Sequence, residues 1–192
     1  MTITRKTIAD FKSKLKGGGA RPNLFEVELT KPPMAATSTK WDAGDFAFMC
    51  KAASLPASNI AAIDVPFRGR IFKVAGDRTV DTWTITVIND EDFKIRTAFE
   101  EWMQLIAHLK SNDGATQPNA YMSDAVVKQL GRGDTASSTD SSATTTTQKI
   151  LKTYKFIDMF PTNISAIDLS YDSGDTIEEF TVEFAVNNFE IA

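Results

Sequence analysis

Apolar and polar side chains alternate most strictly in three segments. In ARPNLFEVELT, Phe25, Val27 and Leu29 alternate with Glu26 and Glu28, the period-two pattern of a strand with one buried face. In DTWTITVIN, Trp83, Ile85 and Val87 point one way and Thr82, Thr84 and Thr86 the other. Near the end of the chain, Phe180, Val182, Phe184 and Val186 form one face of a last strand. DFAFMCKAASLP reads as a further strand, with Phe46, Phe48 and Cys50 on one face. NIAAIDVPFRGRIFKVAG reads as two short strands bent at Pro66 and Gly69, followed by a turn at Gly76-Asp77-Arg78. AYMSDAVVKQLGRG holds a short strand or a helical turn, and KILKTYKFIDMFPTNIS brings alternation back.

Helical spacing is sustained in one place. In DEDFKIRTAFEEWMQLIAHL, Ile95, Ala98, Phe99, Trp102, Met103, Ile106 and Leu109 recur at three- and four-residue steps, predicting an amphipathic helix over about 90–109. Asn89, Asp90, Glu91 and Asp92 stand where a helix start favours caps and negative charge, and His108 falls in the last turn. A weaker stripe of Ile8, Phe11 and Leu15 predicts a short N-terminal helix, halted by the flexible joint Gly17-Gly18-Gly19. KPPMAATSTKWDAG reads as a loop. The Ser/Thr-rich stretch within about 131–148 cannot bury apolar area and reads as a surface loop. About eight strands and one good helix without regular βαβ repetition give a mainly β fold: an antiparallel β-sandwich or barrel with a flanking helix.

Composition narrows the class. With 192 residues, the chain fits one domain, residues 20–192, preceded by an arm at 1–19. The arm carries five Lys/Arg and one acid, a net of +4, which leaves 16 basic and 24 acidic residues, a net of −8, on the body. Basic arm and acidic body suit contact between neighbouring copies, although a merely solvated tail is the commoner case. An acidic body is poorly suited to gripping nucleic acid. No run approaches the length of a transmembrane helix, so membrane insertion by the monomer is not expected. The N-terminus lacks the apolar stretch of a secretory signal. One cysteine admits no internal disulfide, which fits assembly in a reducing cytoplasm.

Candidate chemistry is sparse. His108 and Cys50, each the only residue of its type, cannot supply the usual multiple Cys/His ligands of a zinc site. The acids at 90–92 lack the glycine and terminal glutamate spacing of a calcium loop. His108 has no recognisable nucleophile or orienting carboxylate, and Cys50 reads as core filler. GRGD at Gly131–Asp134 is too short to carry an adhesion assignment. No phosphate-binding or nucleophile-elbow motif is present, so no cofactor, metal or catalysis is expected.

Four strings, in order, resemble the tail tube proteins of T4-like contractile-tailed phages: ARPNLFEVEL, CKAASLPAS, VAGDRTVDTWTITVINDED and FPTNISAIDLSYDSGDTIEEFTVEFAV. They span about residues 20–187; the basic arm, the longer loop near Pro32–Asp42 and the Ser/Thr insert depart from the pattern. The resemblance implies a structural virion protein of the tail, assembled in the host cytoplasm into hexameric rings that stack into a hollow tube. The fold that the resemblance implies is related to the tubes of type VI secretion and R-type pyocins. The implied partners are the chain itself, the sheath, the baseplate with its tube initiator, the tape measure and the tail terminator, with DNA passing through the lumen. Arg21, Pro22, Asn23, Gly76, Asp77 and Arg78, in the matching strings, become candidate self-assembly residues. Glu26, Glu28 and Glu183 are candidate lumen acids, or simply solvated strand faces. Alternatives are the initiator at the baseplate, a type VI or pyocin-like tube, and a monomeric ligand-binding β-barrel.

Overall fold

Each alternating segment becomes a strand whose apolar side faces one core. The computed structural model describes residues 6–15, 19–35, 41, 43–134, 148–172 and 174–191. It contains β1 (Phe25–Leu29), β2 (Cys50–Ala53), β3 (Ser58–Phe67), β4 (Arg70–Val80), β5 (Trp83–Ile88), β6 (Ser123–Asp134), β7 (Gln148–Ile164) and β8 (Glu179–Ile191). The helices are α1 (Ile8–Lys14), α2 (Ala43–Met49), α3 (Lys94–Ile106) and α4 (Pro118–Tyr121). Six strands form one sheet in the order β1-β6-β7-β8-β5-β2, with every neighbouring pair antiparallel. The sheet curls into a nearly closed barrel. Helix α2, directly before β2, packs against β1 and so lies over the seam between the two end strands.

The core gathers the inward positions of all six strands. Val27 and Leu29, Ala125 and Val127, Phe156 and Met159, Phe180, Val182 and Phe184, Trp83, Ile85 and Val87, and Cys50 are buried together with Phe46 of α2 and Phe99 and Trp102 of α3. Aromatic contact holds the centre. Trp83 stacks on Phe156 at 4.4 Å between ring centroids, and Phe99 meets Phe184 edge-on at 5.9 Å. Two of the three indole donors are satisfied, Trp83 Nε1 donating to the Ser54 carbonyl at 2.8 Å and Trp102 Nε1 to that of Tyr121 at 2.7 Å, whereas the buried Trp41 Nε1 has no partner among the described residues. Among the described residues, these side chains fill the interior that a lipocalin-like barrel would keep open for a ligand.

Several sequence expectations are corrected. Residues 43–49 form helix α2, so Phe46 and Cys50 reach the core from a helix and a strand, not from one strand face; the Phe48 side chain lies outside the described residues. The long helix starts at Lys94 and ends at Ile106 instead of spanning 90–109. Its cap is Phe93, in the left-handed region at φ 50° with no side-chain cap bond, so Asn89–Asp92 do not cap it. They build the corner before it. Asp90 accepts the Glu91 N–H at 2.9 Å through its side chain and the Phe93 N–H at 2.9 Å through its carbonyl, while Asn89 Nδ2 donates to Glu178. His108 falls beyond the helix, where its Nδ1 accepts the Ser111 N–H at 3.2 Å in an exposed turn.

The largest difference concerns residues 58–80. They form one long hairpin of ten- and eleven-residue strands, not two short strands. Pro66 lies within β3, opposite Ile71. The turn is at Arg68 and Gly69, with φ of 46° and 81°, two consecutive left-handed residues as a two-residue hairpin loop with the strands' own twist requires. Gly76-Asp77-Arg78 is no turn. The register runs Ile60↔Arg78 then Ala62↔Ala75, so Gly76 and Asp77 are a bulge in β4 opposite Ala61. A Cβ on Gly76 would lie 3.0 Å from the Ala61 carbonyl oxygen, which is why the bulge takes glycine.

Of the remaining expectations, AYMSDAVVKQLGRG holds both a helical turn, α4, and the start of β6, and GRGD is the end of that strand. Most of the Ser/Thr-rich stretch, 135–147, lies outside the described residues, as do Gly17 and Gly18 of the joint and 36–40 of the loop. Among the described residues no helix is long and apolar enough to cross a membrane.

Candidate assembly surfaces

The exposed surface carries three features that bear on contact with other molecules. First is the hairpin. Side chains on paired strands alternate in face, so Ile63, Val65 and Phe67 of β3 lie on one side with Phe72 and Val74 of β4. All five are exposed, Phe67 and Phe72 by 66 % each. A two-stranded ribbon with an apolar side bare to water is only marginally stable alone, and a patch of this kind marks an interaction site. Hiding each of these side chains gains on the order of 1 kcal/mol. The ribbon's root is fixed to the body by Arg78, whose guanidinium lies 5.2 Å over the Phe189 ring and donates to Ser58 Oγ at 3.1 Å.

Second is the face of the sheet turned away from the core. Val27 and Leu29 point inward, so Glu26 and Glu28 point out; Phe180, Val182 and Phe184 point inward, so Thr181 and Glu183 point out. The three candidate lumen acids thus share one face, Glu183 three strands from the other two. Lys128 on β6 pairs with Glu28 and lies 3.9 Å from Glu26. Lys155 pairs with Asp124 at 3.3 Å and Lys51 with Glu179. These lysines partly neutralise the face.

Third is a separation of charge along the strands. At the end where β5 and β7 finish, the two following connections carry Asp90, Glu91 and Asp92, and Asp168, Asp172, Asp175 and Glu178. At the opposite end, where β1 starts and β6 hands over to β7, stand Arg21, Arg132, Lys149 and Lys152. Residues 21–23 are exposed there, and the Arg21 carbonyl accepts from Gln129 Nε2 at 2.8 Å. The two sets of candidate self-assembly residues are not brought together: 21–23 lie against β6, and 76–78 lie in the hairpin beside β8. The sequence pattern alone does not single out the apolar hairpin face. Its signal is present, an Arg-Gly turn between two runs of alternating apolar residues, but it matches that of a buried hairpin.

Residues 20–192 match the phage tail tube protein family. The chain belongs to that family. It is 34% identical over 174 residues to tail tube protein gp19 of Enterobacteria phage T4, covering 91% of this chain and 93% of that one. It is 24% identical over 179 residues to the tail tube protein of Serratia phage KSP90, covering 92% of each. The fold matches a chain of the PVC sheath-tube complex of an extracellular contractile injection system in its extended state. There the TM-score is 0.58 at 12% identity, covering 94% of this chain and 96% of that one. A chain of the anti-feeding prophage baseplate matches with a TM-score of 0.57 at 10% identity over 91% and 95%. This tail tube protein is therefore a structural component of the phage tail.

The isolated thiol of this tail tube protein is structural too. Cys50 is buried beside Val87, and burial pushes its thiol from 9.0 up to about 12, partly offset by a hydrogen bond from the Ala52 backbone. The folded chain thus holds the neutral thiol while the unfolded chain ionises first. This contribution is fully present below pH 9 and shrinks as pH rises from 9 toward 12. Urea unfolding of wild type against Cys50→Ser between pH 8 and 10.5 is expected to show wild-type stability falling more steeply, by roughly 1 kcal/mol per pH unit. Parallel curves contradict it.

Proposed function

We propose that this chain forms six-subunit rings stacked into the inner tube of a contractile tail, through which DNA passes on ejection. The hairpin carries the reading: its bare apolar side has no cover in one copy and gains cover when copies meet. The two end strands of the sheet, β1 and β2, support it: among the described residues only α2 lies over the seam between them, and strand edges without a strand partner are a hazard in a free monomer and a joint in a ring. The family and the PVC and anti-feeding prophage matches support sheath, baseplate, initiator and terminator as partners, with the tape measure as occupant of the lumen before ejection. We assign Glu26, Glu28 and Glu183 to the lumen, where an acidic lining lets phosphates slide past. The chain performs no catalysis and takes no cofactor in this reading.

Electron microscopy of the purified chain tests it. Six-fold rings or tubes are expected, forming without a baseplate template, which distinguishes the tube protein from an initiator. A monomer at high concentration contradicts the proposal.

A further inference from the structure

Helix α1 is fully formed and fully bare. Thr7 and Asp10 make a reciprocal capping box, and the Thr7 backbone N–H, with its hydroxyl, holds the Asp10 carboxyl below its ordinary range. Yet Ile8, Phe11 and Leu15, its whole apolar stripe, are exposed, and the helix buries nothing. A seven-residue helix is marginal by itself in water and gains most of its stability from packing such a stripe.

The body offers a matching groove of about 530 Å³ between the outer side of α3 and the end of β7, lined by Met103, Ile106, Leu109, Pro161 and Ile164 with the Arg96–Glu100 pair at its rim. Leu109 stands 95 % exposed beside it. We propose that α1 of one copy docks in this groove on a copy of the adjacent ring. The inference rests on the stacked-ring reading.

Reach excludes the groove on the same chain. Residues 21–24 are tied to β6 through Gln129 and Leu130, level with Lys152 of β7. The groove lies nine to twelve residues further along β7, about 30–40 Å at 3.3 Å per residue. From Arg21 to Leu15 the chain spans at most about 20 Å, and the helix carries Phe11 only about 6 Å more. The arm leaves one end of the barrel and the groove opens toward the other.

Charge favours the same pairing. Lys6, Lys12 and Lys14 surround the helix, and the end of the barrel that holds the groove is the end carrying Asp90, Glu91, Asp92 and Asp168. Head-to-tail stacking brings a basic arm to an acidic end, whereas the opposite orientation opposes like charges.

The test mixes full-length Phe11→Cys and Leu109→Cys copies, lets them assemble, and treats them with a short bismaleimide. Buried Cys50 serves as the silent background thiol. Peptide mass spectrometry is expected to find residue 11 joined to residue 109 in assembled tubes and not in dilute protein. Phe11→Asp is expected to raise the concentration needed for tube formation by about tenfold or more. Tubes that form without the 11–109 link overturn the docking site and leave the stacked-ring reading intact, as does a link made within a doubly substituted single chain. Unchanged assembly of Phe11→Asp also overturns the docking site alone. A wild-type chain that never forms tubes overturns both.

Discussion

Phe72→Asp is expected to abolish tube formation while leaving the monomer folded. Phe72 lies opposite Val65 at the middle of the hairpin's apolar side, 66 % exposed, so the free subunit loses almost no packing. Surface changes of this kind usually stay within about 0.5 kcal/mol, which keeps the melting temperature within a few degrees. In an assembly the cost is different in kind. A carboxylate enclosed in an apolar contact without a partner loses several kcal/mol, and every subunit of every ring repeats the loss. Velocity sedimentation should show monomer where wild type gives large particles, with an unchanged circular-dichroism spectrum. Tubes of normal length from this variant dismiss the hairpin as a joint.

Trp83→Ala is the change with the largest expected effect on the fold itself. The ring is almost completely buried, stacks on Phe156 at 4.4 Å and lies 5.4 Å from Phe184, so it links β5 with β7 and β8. Its Nε1 bond to the Ser54 carbonyl anchors the segment between β2 and the hairpin. Removing a large buried ring costs about 3–5 kcal/mol, a major part of the roughly 5–15 kcal/mol that holds a typical domain together. Trp83→Phe keeps most of the packing and orphans the Ser54 carbonyl, so an intermediate loss is expected. Urea unfolding measures both. A loss below about 1 kcal/mol for the alanine variant contradicts the central place given to this ring.

What the sequence made legible follows from where burial is one-sided. β1, β5 and β8 each bury one face and expose the other, so alternation in FEVEL, WTITVI and EFTVEFAV reads directly as strand and face. The stripe of α3 reads equally well, although its start does not. Asp90 and its neighbours use their polar groups to turn the chain, leaving Phe93 as an unassisted cap, and acids serving a turn look like acids serving a helix. Helix α2 was illegible for a different reason: Phe46 and Cys50 fit a two-residue period as well as a four-residue one, and seven residues are too few to separate them. The hairpin shows the limit most clearly. Ile63, Val65 and Phe67 carry the pattern of a strand buried against its own chain, and nothing in one sequence says that the cover belongs to another molecule.

For the candidate residues, alternation sets Glu26, Glu28 and Glu183 apart from the apolar side of their own strands, and the structure turns all three away from the core. Alternation could not place Lys128 between the first two, because that contact joins residues about a hundred positions apart. Gly76-Asp77-Arg78 reads as a turn in the sequence because a bulge and a turn ask for the same residues; only the pairing of β3 with β4 tells them apart.

The unequal charge at the two ends of the barrel has a consequence for how a growing filament begins and stops. A column of such subunits keeps one acidic mouth and one basic mouth at any length, so its polarity is set by the first ring and inherited by every ring after it. The protein that starts the column and the protein that closes it therefore face different chemistry. A starter and a stopper of opposite charge suffice to tell the two ends apart, and neither can take the other's place.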